Sequence, residues 1–176
     1  GNDGPMPQTI GSPGKNYDSV TVGATYNNLT SSLVATLEVN EKPYTVIPMV
    51  GSSKLNEPII GKIIFGGYGK EKDLKDINAT DSILLVERGS DIKGDLLYFS
   101  TKEKNAINAG AKALIVYNNE PGIFLGELIH EFVESDYKPQ IPVVSIDRKD
   151  GLEIKESLEK NKSILQKVWT SKDPPK

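Results

Sequence analysis

The stretch ILLVERGSDIKGDLLYFSTKEKNAINAGAKALIVYNN, residues 83–119, decides the fold of this chain. It opens with a nearly continuous apolar run at 83–87 and closes with another at 113–117. Runs of this kind are typical of strands that are covered on both faces of a sheet. Between them, Ser100 or Thr101 can begin a helix that ends near Ala109, where Gly110 favours a stop. The stretch therefore predicts a strand–helix–strand unit.

Short runs of apolar and β-branched residues predict further strands on both sides of this unit. These runs lie at 20–24, 33–39, 44–50, 59–65, 141–146 and 164–169. Turn residues at 40–43 predict a hairpin, and the polar segment 66–79 predicts a loop or a short helical turn. Asp147 is suited to the start of a final helix. The pattern predicts an α/β fold in which an α/β layer joins an all-β portion.

Four short motifs in this order resemble the signature of the protease-associated (PA) domain. They are Arg88-Gly89 after a strand, Lys104-Asn105-Ala106 in the helix, Ala109-Gly110-Ala111, and Tyr117-Asn118-Asn119 after the next strand. Lys104 stands closer to Asn105 than in the family's Lys-x-x-Asn-Ala pattern, unless Lys102 fills that position. Ser90-Asp91-Ile92 stands where many family members carry a cysteine, so a disulfide-stapled loop is absent. The resemblance covers about residues 35–170 and implies a β-sandwich or open barrel-like sheet flanked by about two to three helices.

The first 25 residues carry a second resemblance. GNDGP at 1–5 and VTVGAT at 20–25 are similar to the oxyanion-hole segment of subtilisin-like serine proteases, in an order that fits their lactocepin-like and minor-extracellular-protease-like members. The resemblance implies that Asn2 donates to the developing oxyanion in an intact parent protease. On local sequence alone, Asn2 would be a turn residue. The resemblance divides the chain into a catalytic-domain fragment at 1–25 and a PA domain with flanking linkers at 26–176.

A catalytic set is not found in the sequence. A serine hydroxyl needs an adjacent base, and the single histidine, His130, lies far from any subtilisin-like motif. His130-Glu131 begins a zinc-helix pattern, but Glu134 stands where its second histidine would be. We therefore expect no metal, no cofactor and no activity from this chain alone. The resemblance implies a parent serine endopeptidase that is secreted or bound to the bacterial cell wall, with its signal outside this chain.

Charge and composition restrict the partners. The chain has 21 basic and 24 acidic residues and no cysteine. This balance argues against a nucleic-acid surface, which needs a basic face. No apolar stretch approaches the roughly 20 residues that span a bilayer, so we expect no membrane partner.

The connection at 123–129 is unusually apolar for a segment between two strands. It can be a short helix packed on the sheet, or a partly exposed surface that contacts protein substrate or the catalytic domain. The candidate contact residues are Phe124, Leu125 and Leu128, with Tyr68 from the loop at 66–72. On the second interpretation, the PA domain is a non-catalytic module that modulates the access or binding of protein and peptide substrates. The alternative is a purely structural or self-association module, which includes a possible homodimer.

Overall fold

A computed structural model describes residues 20–26, 33–55, 57–128 and 137–171. These residues form eight strands and three helices. The strands are β1 (Val20–Tyr26), β2 (Leu33–Val39), β3 (Lys42–Pro48), β4 (Ile59–Gly61), β5 (Ile63–Phe65), β6 (Ile83–Glu87), β7 (Ala113–Tyr117) and β8 (Val143–Ile146). The helices are α1 (Glu71–Leu74), α2 (Phe99–Asn108) and α3 (Arg148–Ser171).

All eight strands belong to one sheet, in the order β4-β1-β2-β3-β8-β7-β6-β5. Strands β4, β1, β2 and β3 pair antiparallel, whereas β5, β6, β7 and β8 pair parallel. The two halves meet where β3 pairs antiparallel with β8. The fold is therefore a mixed α/β fold with a curled sheet and three helices, which confirms the expected class.

The two ends of the sheet are joined by the chain itself. β4 lies at one end of the strand order and β5 at the other, yet only Lys62 separates them in sequence. The sheet must therefore curl until its ends approach each other, as in a barrel. The single strand predicted at 59–65 is two short strands that serve opposite ends of the sheet.

The parallel strands are buried on both faces, as their apolar runs predict. In β6, Ile83 and Leu85 belong to one hydrophobic cluster and Leu84 and Val86 to a second. Alternate residues of a strand point to opposite faces, so each run supplies two layers of core. Helix α3 adds Ile154 to the first cluster, whereas Ala106 of α2 belongs to the second.

Two local predictions are decided by the helices. Helix α1 confirms the short helical turn within 66–79. The strand predicted at 164–169 is wrong, because α3 continues through it to Ser171. The apolar residues at 164, 165, 168 and 169 recur at the three- to four-residue spacing of a helix and do not alternate. Within the described residues, no helix is both long and apolar enough to cross a membrane.

Candidate functional site

An apolar groove lies between the segment that leads into α2, residues 95–100, and the extended segment 125–128. Its lining also includes Arg88, Gly89 and Asn119, and its volume is about 330 Å³. Leu96 and Leu125 in the groove are 77% and 65% exposed, and Tyr98 is 41% exposed. Exposed apolar side chains gathered in a concave surface mark a place where another molecule binds.

Two of the sequence motifs build one wall of this groove. The Arg88 guanidinium lies 4.4 Å from the centre of the Phe124 ring and donates to Asn118 Oδ1 at 3.2 Å. The buried Asn118 in turn donates through Nδ2 to the Gly122 carbonyl at 2.9 Å. Phe124 also stacks on Phe99, with ring centres 5.6 Å apart. These contacts fix the segment that presents Leu125.

Residues 123–128 are not helical. Ser145 Oγ donates to the Phe124 carbonyl at 2.6 Å, and the Val50 amide donates to the Gly126 carbonyl at 2.9 Å. The Leu128 amide donates back to the Val50 carbonyl at 2.9 Å. The packed-helix interpretation is therefore wrong for 123–128, because Val50 and Ser145 satisfy the backbone of an extended segment. Residues 129–136, including His130, lie outside the described residues.

The predicted contact residues are divided between surface and core. Leu125 is exposed in the groove, whereas the half-buried Phe124 packs against Phe99 and Arg88. Leu128 is also among the residues that line the groove, but it is only 1% exposed and packs in the core. Tyr68 is half-buried beside Lys102 and does not line the groove. Asn2 lies outside the described residues.

Sequence reasoning missed Leu96 and Tyr98, which supply the opposite wall. The signal available for them is the apolar run Leu96-Leu97-Tyr98 inside an otherwise polar loop. Loops exposed to solvent are usually polar, so an apolar run between Asp95 and the helix indicates packing against the protein or binding of a partner.

Lys102 holds the strand ends beside the groove in place. It is fully buried, and its Nζ donates to the carbonyls of Tyr68, Glu87 and Gly89 at 2.7, 2.7 and 2.8 Å. Burial lowers the pKa of this ammonium group to about 8. All three N–H groups of the Lys102 ammonium therefore have a carbonyl acceptor, so this side chain has a structural role.

Asn105 adds a further contact of this kind one turn along the helix; we call the hydrogen bonds of Lys102 and Asn105 to these carbonyls the lysine lock. Its Nδ2 donates to the Gly69 carbonyl at 2.9 Å, and the next residue, Ala106, is fully buried. Lys102, Asn105 and Ala106 thus have the Lys-x-x-Asn-Ala spacing, whereas Lys104 is exposed. The question of which lysine fills the motif is settled in favour of Lys102.

Ion pairs hold the loop where family members carry a cysteine. Lys70 Nζ lies 2.8 Å from Asp91 and 3.0 Å from Asp95, and Lys72 Nζ lies 2.8 Å from Asp91. Hydrogen bonds from Lys70 lower the pKa of both carboxyls. The loop that leads to Leu96 is therefore attached electrostatically to the start of α1.

A buried carboxyl on α2 fixes the chain on its return to β8. Glu103 accepts a hydrogen bond from the Tyr137 hydroxyl and from the amides of Gln140 at 3.3 Å and Ile141 at 3.5 Å. Burial raises the pKa of this carboxyl. Within the described residues, no group of three or more histidine, cysteine or acidic side chains is placed to hold a metal ion.

The motifs that build the groove wall and the lysine lock lie inside the range that a family model matches. The model described as the PA domain covers residues 58–154, more than half of the chain. The chain belongs to the PA domain family. The PA domain fold expected from the motifs is thereby confirmed.

Relatives of this PA domain are named as proteases and peptidases. It is 32% identical over 128 residues to the minor extracellular protease Vpr of Bacillus subtilis, a match that covers 69% of this chain and 14% of Vpr. It is 27% identical over 159 residues to C5a peptidase of Streptococcus pyogenes serotype M1, which covers 90% of this chain and 12% of that protein. The PA domain therefore spans only a small part of these relatives.

A solved structure gives the same fold. BSAP, a zinc aminopeptidase from Bacillus subtilis, superposes with a TM-score of 0.56 at 28% identity. The match covers 77% of this chain and 30% of BSAP. PA domains thus accompany proteins named for different kinds of peptidase.

Proposed function

We propose that this PA domain is a non-catalytic module of a secreted or cell-wall-bound, subtilisin-like serine endopeptidase. Its role is to bind segments of protein substrates at the apolar groove and so to influence which proteins reach the catalytic domain. The observation that carries the proposal is the exposure of Leu96 and Leu125 on facing walls of one groove. Covering each leucine would contribute about 1.5–3 kcal/mol before the costs of association are subtracted.

The non-catalytic part of the proposal is supported by the relatives and by the lysine lock. The module accompanies a protein named as an extracellular protease and another named as a zinc aminopeptidase, so the chemistry belongs to other parts of those chains. The buried amine of Lys102 is committed to three carbonyls. The groove itself offers apolar walls with the Arg88 and Asn119 side chains beside them, which suits binding.

The serine class rests on the resemblance of the first 25 residues to a subtilisin-like oxyanion segment. In the intact protein, 1–25 would belong to the catalytic domain, although 20–25 pair with β2 and β4 of the PA-domain sheet in this chain, and the Asn2 amide would donate to the oxyanion. The catalytic domain would then be the immediate partner of the PA domain at 26–176. Replacing Asn2 by Ala in the parent protease should lower kcat by about 10²–10³ with little change in KM.

The groove is tested in the parent protease with Leu96→Glu and Leu125→Glu. Both should lower kcat/KM for whole proteins several-fold and leave the cleavage of short peptides unchanged, since a short peptide does not reach the groove. Leu152→Glu is the matched control, because Leu152 is also a surface leucine, 36% exposed, but lies on α3 outside the groove. Equal effects on proteins and peptides, or no effect on either, would contradict the proposal.

The alternative, a structural or self-association module, uses the same exposed leucines. Light scattering of the parent protease and of Leu125→Glu distinguishes the two. A fall in mass with unchanged preference between protein substrates would favour self-association, and an unchanged mass with altered preference would favour substrate binding.

A further inference from the structure

Strand β1 lies between β2 and β4, the strand at one end of the curled sheet. It pairs antiparallel with β2 along all seven of its residues, Val20 to Tyr26, and antiparallel with β4 through Val20, Thr21 and Val22. β1 therefore lies in a slot between two strands, which we call the seam. Between two strands, the amides and carbonyls of an occupant are used on both sides.

The walls of the seam are held by partners other than β1. β2 pairs with β3 from Ala35 to Val39 through a tight hairpin. β4 continues through Lys62 into β5, and β5 pairs with β6. If β1 left the seam, both walls would keep these attachments. The β2 wall is thus formed without β1, whereas β4 has no other strand partner among the described residues and keeps only its connection to β5.

The register defines what fits the seam. Val20, Val22 and Ala24 pair with Val39, Leu37 and Ala35, and these three β2 residues are buried in the core. Directly paired residues share one face of a sheet. An occupant therefore needs small or β-branched apolar residues at alternate positions, in an extended conformation.

One half of the seam is open to a competing strand. Gly23 to Tyr26 pair with β2, but within the described residues they have no strand partner on the side of β4. An incoming segment can therefore pair first where β1 is held on one side only, and then replace it residue by residue.

We propose that the seam is a strand-addition site for an extended protein segment with alternating small apolar residues, and that β1 is its resident competitor. The main-chain hydrogen bonds of β2 and β4 supply affinity, and packing beside the buried Ala35, Leu37 and Val39 supplies selectivity. This site is separate from the apolar groove, and the inference does not depend on the proposed function.

The first test measures peptide binding to the full chain and to Val22→Pro, in which β1 loses the Val22 amide donor and the proline ring disrupts the strand where it lies between β2 and β4. The probe is a fluorescein-labelled peptide of residues 19–27, SVTVGATYN. A tethered strand competes at roughly millimolar effective concentration, so release of β1 should tighten binding by about tenfold or more. The same peptide with proline at its central valine should bind neither chain. A folded Val22→Pro chain that binds the probe no more tightly than the parent chain overturns the proposal.

The second test does not require Val22→Pro to fold. Thr21 and Ile60 are register partners across β1 and β4, so Thr21→Cys with Ile60→Cys should form a disulfide that locks β1 in the seam. The reduced double variant should bind the probe at high concentration, and the oxidised form should not. Equal binding by both forms, or none by the reduced form at the solubility limit of the peptide, overturns the proposal. A dimer by light scattering that excess peptide does not convert to monomer would assign the seam to a second copy, which also overturns it.

Discussion

The ammonium nitrogen of Lys102 lies 2.7 Å from the carbonyl oxygen of Glu87, the last residue of β6. The same nitrogen reaches the Tyr68 and Gly89 carbonyls, so one buried cation ties helix α2 to two strand ends. Lys102→Met keeps the unbranched apolar stem of the side chain but leaves three carbonyls without their donor. We expect the free energy of unfolding to fall by about 2–4 kcal/mol, measured by urea denaturation.

The matched control for this prediction is Lys104→Met, two residues along the same helix and exposed. Its cation lies over the Tyr137 ring at 5.7 Å, a contact of modest value at an exposed site. We expect a change below about 0.5 kcal/mol. Equal destabilisation by both variants would show that Lys102 is not a lock.

The buried Glu103 predicts a pH dependence. Burial raises the pKa of Glu103 in the folded chain. At a pH just above the ordinary glutamate pKa, the folded state therefore keeps this proton, whereas the unfolded state has lost it. The contribution of this group to stability therefore falls as pH rises through that window. Glu103→Gln removes the titration. The melting temperature of the wild type minus that of the variant should decrease between about pH 4 and pH 7; a difference that stays constant would contradict this assignment.

The ion pairs around Asp91 predict salt-sensitive protection of the loop that carries Leu96. Asp91→Asn removes the contacts with Lys70 and Lys72. Tryptic cleavage after the exposed Lys93 should become faster at low ionic strength, and the difference from the wild type should shrink in high salt because salt already screens these pairs. Asp76→Asn, an exposed carboxylate outside the network, should leave the cleavage rate unchanged. Cleavage that is equally fast in the wild type would count against the ion pairs as the attachment.

Gly151 predicts an inverted effect of alanine in a helix. A Cβ at Gly151 would lie 2.2 Å from Tyr117 Cβ, because α3 passes close to β7. Glycine to alanine in a helix usually stabilises by about 1 kcal/mol. Here the clash should instead destabilise by about 1–3 kcal/mol in chemical denaturation. Lys149→Ala, at an exposed position of the same helix, should be close to neutral; stabilisation by Gly151→Ala would mean that the helix does not lie this close.

The strand–helix–strand unit could be predicted because its signals are local. The apolar runs of β6 and β7 are long enough to be covered on both faces, and Gly110 has a positive φ of 95° at the end of α2. The end of α3 was misassigned because a short apolar cluster read alone does not distinguish a strand from a helix. Its four-residue spacing, continued from Ile154 and Leu158, carried the missing information.

The groove was only half predictable. Leu125 was found because it stands in an apolar connection, whereas Leu96 belongs to the opposite wall, which tertiary pairing brings into place. The burial of Leu128 depends on its hydrogen bond to Val50, 78 positions earlier in the numbering. The choice of Lys102 over Lys104 was available from the sequence, because Lys102 has the Lys-x-x-Asn-Ala spacing to Asn105 and Ala106. Its three carbonyl partners come from separate segments, and those the sequence did not specify.

The junction at Lys62 has a consequence for the chain while it folds. The strands on both sides of this junction, β4 and β5, form the two ends of the sheet and are only three residues long, so little edge is free, and free edges are where molecules stack into fibrils. That protection holds only while β1 is seated. Before β1 docks, β2 offers an unpaired edge with Ala35, Leu37 and Val39 at alternate positions. Early docking of β1 therefore favours productive folding, and late docking favours aggregation.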